Sequence, residues 1–159
     1  GKMREAAELF EKARQVNPDD FQAPALLAPV YRGLGRQGEA EAVYRRVFQL
    51  VEKHIRVYPD DVRAIYFGAS ALCQLGEREK SLEWNRRALA IEPDDAGVLY
   101  NVACVYAGLG EVEVAINCLE KCVASGMRQK EWFQNDSDLD PLRAHPRFQA
   151  LMHGMESAG

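Results

Sequence analysis

The chain has 159 residues, of which 47% are hydrophobic and 28% charged, with a net charge of −4 at pH 7. This composition is ordinary for a globular protein, and the length predicts one folding unit. No apolar stretch reaches the roughly 18 residues of a membrane helix, and no basic-then-apolar leader opens the sequence. The acidic balance also disfavours nucleic acid, whose phosphates require clustered lysine and arginine. We therefore expect a cytoplasmic protein without membrane or nucleic-acid partners.

A Pro-Asp-Asp tripeptide recurs along the first two thirds of the chain, beginning at Pro18, Pro59 and Pro93. The second and third prolines lie 34 residues apart, and the first and second lie 41 residues apart. Because proline ends a helix and aspartate can cap the next one, the tripeptide marks a boundary between helical units. The spacing predicts a half unit over residues 3–20, followed by three repeats over residues 21–61, 62–95 and 96–126.

Each repeat contains a Leu-Gly pair near its middle, with the glycines at Gly35, Gly76 and Gly110. Glycine readily takes the left-handed backbone conformation that ends a helix, so each repeat divides into a helix A and a helix B. Small residues that would let the two helices approach closely recur at two positions of the repeat, namely Ala28, Ala69, Ala103 and Ala40, Ser81, Ala115. The sequence therefore predicts an all-α stack of about three and a half antiparallel helical hairpins.

The first full repeat departs from the others in two ways. Pro29 lies inside its A helix, where a missing N–H predicts a kink. Its B helix should run from about Gln37 to Val57, some two turns longer than the equivalent helices, and project beyond the stack.

The residues after the third repeat form a predicted C-terminal cap over residues 127–153. Its acidic stretch from Asp136 to Asp140 suggests calcium, but a helix–loop–helix calcium site would need Gly and Glu where Pro141 and Arg147 stand. Turn formation and helix capping explain these aspartates better. We expect apolar residues of the cap to be buried against the third repeat, namely Trp132, Phe133, Leu139, Leu142 and Phe148.

The 34-residue pattern over residues 3–126 resembles the tetratricopeptide repeat (TPR) family. The resemblance implies a right-handed superhelical solenoid with a concave face lined by the A helices. The segment from Trp132 to Phe148 is similar to a cap that follows such arrays in bacterial multidomain signalling proteins. That similarity implies a piece of a longer protein, in which a cyclase, a protein kinase or a winged-helix domain adjoins the repeats.

The A-helix positions that would face a concave groove provide the candidate binding residues. They are Gln22, Arg32, Arg63, Tyr66, Ser70, Gln74, Tyr100, Asn101 and Cys104. Tyrosine and arginine are residue types that anchor protein interfaces, although each tyrosine could equally cover a neighbouring helix. The carboxylate clamp of TPR co-chaperones is not expected, because Ala25, Pro29 and Phe67 stand where that clamp requires polar residues.

No arrangement of residues predicts catalysis, a cofactor or a metal. The Gly-x-Gly-x-x-Gly string at Gly33 follows a predicted helix and not the strand of a dinucleotide site. Cys118 and Cys122 share a helix face and could form a disulfide or bind a metal, but buried thiols are the simpler interpretation. We expect a scaffold or adaptor that binds a protein or peptide. The alternative is a domain for self-association, giving a homo-oligomer, or for regulation of an attached signalling enzyme.

Overall fold

The computed structural model describes residues 2–127 and 129–156, and every regular element in these residues is helical. The nine α-helices of this part of the chain are α1 Lys2–Val16, α2 Gln22–Gly33, α3 Gln37–Ile55, α4 Val62–Gln74, α5 Arg78–Ile91, α6 Ala96–Gly108, α7 Val112–Ala124, α8 Lys130–Asn135 and α9 Pro146–Glu156. A 3-10 helix, Ser137–Leu142, lies between α8 and α9. The all-α prediction is confirmed.

The helices alternate as the repeat pattern predicts, with α2/α3, α4/α5 and α6/α7 as A/B pairs and α1 as a single B helix. Gly35, Gly76 and Gly110 have φ angles of 74°, 79° and 78° in the turns between A and B helices. This left-handed conformation is strained for residues with a Cβ, which explains the glycine at each turn. The turn also lets the N–H that follows each glycine bond back into helix A, as from Glu77 to the Leu72 carbonyl at 2.9 Å.

Helix α3 is longer than the other B helices of the full repeats. It has 19 residues, compared with 14 in α5 and 13 in α7, so the predicted extension is confirmed, although α3 ends at Ile55 and not at Val57. Helix α2 continues past Pro29 to Gly33.

The chain divides into two compact units, and the boundary falls between Trp84 and Asn85 inside α5. The sequence predicted a single folding unit, and the structure differs because hairpin repeats make most of their contacts with immediate neighbours. The first unit contains α1 to α4 and the start of α5. The second contains the rest of α5, the α6/α7 hairpin and the cap.

The core of the first unit lies between α2, α3 and α4, where Leu27, Val51 and Ile65 have no exposed side-chain surface. Trp84 packs against Phe48 at a centroid distance of 5.6 Å. Gly68 of α4 provides the room for this indole, because a Cβ built on it would lie 2.2 Å from a ring carbon of Trp84.

The cap covers the α6/α7 hairpin of the second unit. Four of the five residues expected to be buried there are at most 3% exposed, namely Phe133, Leu139, Leu142 and Phe148. The expectation for Trp132 is wrong, since this side chain is 57% exposed. Helix α8 has only six residues, so when it directs Phe133 into the core, the adjacent Trp132 points elsewhere.

Aspartates of the Pro-Asp-Asp boundaries cap the following A helices, as predicted. Asp61 accepts a hydrogen bond from the Ala64 N–H at 3.1 Å, and Asp95 accepts one from the Val98 N–H at 2.8 Å. His54 Nε2 lies 2.7 Å from Asp61 Oδ2. Burial alone would raise the pKa of Asp61, but the bonds from Ala64 and His54 outweigh it and hold this pKa below its ordinary value.

We expect Asp61→Ala to lower the free energy of unfolding by about 1 kcal/mol at pH 7, because it removes the cap of α4. Since the folded-state pKa of Asp61 is lowered, its contribution is fully present above about pH 4, the ordinary aspartate value, and is lost as the pH falls through the lowered pKa. Urea unfolding at pH 7 and pH 3 measures the difference. Asp60→Ala, at an exposed neighbour, is the matched control, and equal losses in the two variants would contradict the capping role.

Candidate functional site

The A helices α2 and α4 of the first unit carry six of the nine predicted binding residues. Arg63, at the start of α4, donates from Nη1 to Gln22 Oε1 on α2 across 3.1 Å. Arg63 is exposed and Gln22 half-buried, so this bond joins the two A helices at the protein surface. Because an amide is a neutral partner and guanidinium has five N–H donors, Arg63 retains its charge and further donors for another ligand.

Tyr66, Ser70 and Gln74 follow one another at four-residue spacing and therefore lie on one side of α4. All three are half-buried. The Tyr66 ring meets the Phe67 ring edge-on, with centroids 4.8 Å apart. Arg32, near the end of α2, is also half-buried. We call Gln22, Arg32, Arg63, Tyr66, Ser70 and Gln74 the A-helix surface.

The other three predicted residues lie on α6 of the second unit, where the cap covers them in part. Tyr100 is 8% exposed, and its hydroxyl donates to Asp136 Oδ2 at 2.7 Å. The Phe133 ring packs edge-on against it at 5.2 Å. Cys104 Sγ lies 3.7 Å from Asp136 Oδ2, while Asn101 donates to the Gly97 carbonyl of its own helix at 2.8 Å. Tyr100 and Cys104 therefore hold the cap in place and do not offer a surface to a partner.

The surroundings of Tyr100 and Cys104 favour their neutral forms. Burial is the main reason that the pKa of Tyr100 is raised, with further contributions from Cys104 and Asp136. Burial likewise raises the pKa of the Cys104 thiol well above its ordinary value, assisted by the charges of Asp136 and Asp138. A thiol of this kind is a poor nucleophile at neutral pH.

The remaining features that suggested chemistry have structural roles. Cys118 and Cys122 are buried free thiols; Cys122 donates to the Ala96 carbonyl, and burial raises its pKa to about 12. Asp136 caps the 3-10 helix through the Asp138 N–H at 2.9 Å, and Asp140 pairs with Arg143 at 2.6 Å. Within residues 2–127 and 129–156, no group of three or more His, Cys, Asp or Glu side chains is placed to hold a metal ion.

The sequence did not indicate that Asp136 links the cap to α6. Its carboxylate accepts bonds from Tyr100, Cys104 and the Asp138 N–H, while Arg143 donates to its backbone carbonyl at 3.0 Å. An aspartate in a turn-rich acidic stretch gives no sign of a partner 36 residues earlier. The tyrosine on a predicted groove position, close to a predicted cap, was the one available signal.

Sequence comparison identifies the repeat. Family models described as a tetratricopeptide repeat match residues 1–54 and 96–125. A chloroplastic protein of Arabidopsis thaliana is 34% identical over 80 residues, which are 48% of this chain and 24% of that protein. The CTR9 homolog of the same plant is 33% identical over 100 residues, covering 62% of this chain and 8% of the relative. Protein FlbA of Caulobacter vibrioides is 26% identical over 120 residues, covering 76% and 19%. The chain thus spans a quarter or less of these relatives.

Solved structures share the fold. The crystal structure of MamA superposes with a TM-score of 0.53 at 16% identity, covering 98% of this chain and 90% of MamA. MamA 41-end from Desulfovibrio magneticus RS-1 gives 0.52 at 17% identity, covering 99% and 88%. Among the described residues, no helix is both long and apolar enough to cross a membrane.

Paired antiparallel helices, glycine turns and capped boundaries define a helical-hairpin repeat protein. The chain belongs to the tetratricopeptide repeat family. Proteins of this family are generally non-catalytic scaffolds for protein–protein interaction.

Proposed function

We propose that the chain is a cytoplasmic adaptor that holds a segment of another protein against the A-helix surface of its first unit. The observation that carries this proposal is the hydrogen bond from Arg63 to Gln22, which ties α2 to α4 beside the half-buried Tyr66. A bound segment would therefore meet two helices in a fixed arrangement, which reduces the entropy lost on binding.

The side chains of the A-helix surface indicate what such a segment would offer. Arg63 can donate to a carboxylate or a backbone carbonyl, and a charged acceptor gives the stronger bond. Tyr66 supplies a ring for an apolar side chain, with a hydroxyl for a polar one. Ser70 and Gln74 can both donate and accept hydrogen bonds. We infer an extended or helical segment with an acidic residue next to an apolar one.

Loss of the two anchors should weaken binding of a partner captured from the source lysate. We expect Tyr66→Ala combined with Arg63→Ala to reduce the affinity at least about tenfold, since anchor residues each contribute more than roughly 1 kcal/mol. Isothermal titration with the purified partner measures the change, and thermal unfolding checks that the fold is kept. Tyr58→Ala, an exposed tyrosine between α3 and α4, is the control and should bind like wild type. Equal affinity in all three proteins would overturn the proposal.

Self-association is the second candidate, and one face of α1 favours it. Met3, Leu9 and Val16 of this helix are 54%, 65% and 87% exposed. Large apolar side chains at this exposure are typical of an interaction surface when they share a helix face, as Leu9 and Val16 do at seven-residue spacing. A dimer mass in light scattering, lost in a Leu9→Lys variant, would support this candidate over the adaptor.

A further inference from the structure

The indole of Trp132 is exposed at the edge of a cavity in the second unit. The cavity has a volume of about 390 Å³ and is lined by Tyr100, Glu131, Trp132, Asn135 and Asp136. The ring of Trp132 meets the Tyr100 ring at a centroid distance of 6.1 Å and an angle of 64°. This edge contact orients the indole, although the side chain remains 57% exposed.

Two carboxylates of the cavity have no cation beside them in the described part of the chain. Glu131 has no ion-pair partner there, and its side chain is exposed. Asp136 accepts hydrogen bonds only from neutral groups, namely the Tyr100 hydroxyl, the Asp138 N–H and the Cys104 thiol. Their negative charges are therefore not neutralised.

Arg143 contacts the same segment but does not neutralise these two carboxylates. Its Nε donates to Asp140 Oδ1 at 2.6 Å, and its terminal nitrogens donate to the backbone carbonyls of Phe133 and Asp136. The guanidinium of Arg143 is thus used to fold the cap, and the charge of the cavity stays negative.

We propose that this cavity binds an arginine side chain from a basic segment of a partner protein. The guanidinium would stack on the Trp132 ring while donating to Glu131 and Asp136. Tryptophan is the best aromatic partner for a cation, and a planar guanidinium both stacks on rings and pairs with carboxylates. The site lies in the second unit and is independent of the A-helix surface of the first.

An apolar or acidic occupant fits the same cavity less well. An apolar side chain would remove the two carboxylates from water without replacing their hydrogen bonds, which is costly. An acidic side chain would meet two like charges. Only a cation uses the indole and both carboxylates together.

The test uses the full chain and the peptide acetyl-Arg-Gly-Arg-Gly-Arg-amide, with the Trp132 indole N–H followed by NMR. The arginine peptide should shift this signal to saturation, and the same peptide with citrulline in place of arginine should bind at least about fivefold more weakly. Glu131→Gln should weaken binding, and the affinity should fall as salt is raised, because the contact is with exposed charges. For Trp132→Ala, binding is followed through backbone amides of the cap and should be about fivefold weaker.

Tyr58→Ala removes an equally exposed aromatic ring from the first unit and is the matched control. It should bind the arginine peptide like wild type, and the backbone amide spectrum of Trp132→Ala should show that the cap remains folded. Equal binding of the citrulline peptide, stronger binding of a leucine-containing analogue, or an unaffected Trp132→Ala affinity would each overturn the proposal.

Discussion

Replacing Gly68 with alanine should lower the free energy of unfolding by about 3 kcal/mol, since forcing extra volume into a packed core typically costs 1–3 kcal/mol and here the overlap is severe. The new Cβ would lie 2.2 Å from Cζ3 and 2.6 Å from Cε3 of Trp84, and 3.1 Å from Cγ1 of Val51. Val51 is buried and the indole packs against Phe48, so neither neighbour can move aside easily. Urea unfolding followed by circular dichroism measures the loss.

Gly38→Ala is the matched control, because Gly38 is also helical and a Cβ there would meet nothing within 4 Å. This variant should be as stable as wild type or slightly more so, given the helix propensity of alanine. Trp84→Leu should recover part of the stability that Gly68→Ala loses, because it removes the overlapping ring atoms. A Gly68→Ala protein as stable as Gly38→Ala would contradict the close packing of α4 against α5.

Phe133→Ala should release the cap from the second unit. Phe133 is fully buried, and truncation of a buried phenylalanine typically costs about 3–5 kcal/mol. Because the Phe133 ring packs on Tyr100 and the adjoining Asp136 contacts Cys104, loosening of the cap should uncover this thiol. Alkylation followed by mass mapping should show faster modification of Cys104 in the variant, since burial no longer raises its pKa.

Trp132→Ala is the control for this experiment, because it removes a larger aromatic ring from the adjacent, exposed position. Its stability should stay within about 0.5 kcal/mol of wild type, as for most surface substitutions. Cys104 should remain as slow to react as in the unmodified chain. If Trp132→Ala and Phe133→Ala accelerated the reaction equally, the assignment of Phe133 as the residue that holds the cap would be wrong.

The hairpins could be predicted from the sequence because their signals are local. A glycine at φ near 75° or an aspartate that caps the next helix depends on a few neighbouring backbone atoms, and these residues recur at a fixed spacing. The long α3 could be predicted for the same reason. Each of these features is specified within about one helical turn of the residues that reveal it.

The cap could be predicted only in part, because its contacts join residues far apart in the sequence. Six residues of α8 are too few to establish a periodicity, so nothing local distinguishes the buried Phe133 from the exposed Trp132. For the same reason Tyr100 and Cys104 matched groove positions of the repeat, whereas the structure places them against Asp136 of the cap. The division of the chain at Trp84 is likewise a property of its long-range contacts.

The most direct test of the adaptor proposal is hydrogen exchange of the chain with and without a captured partner. Our account expects slower exchange in α2 and α4 around Gln22, Arg63 and Tyr66 when the partner is bound, with little change in α1. Protection confined to α1, or no protection in the first unit, would contradict binding at the A-helix surface.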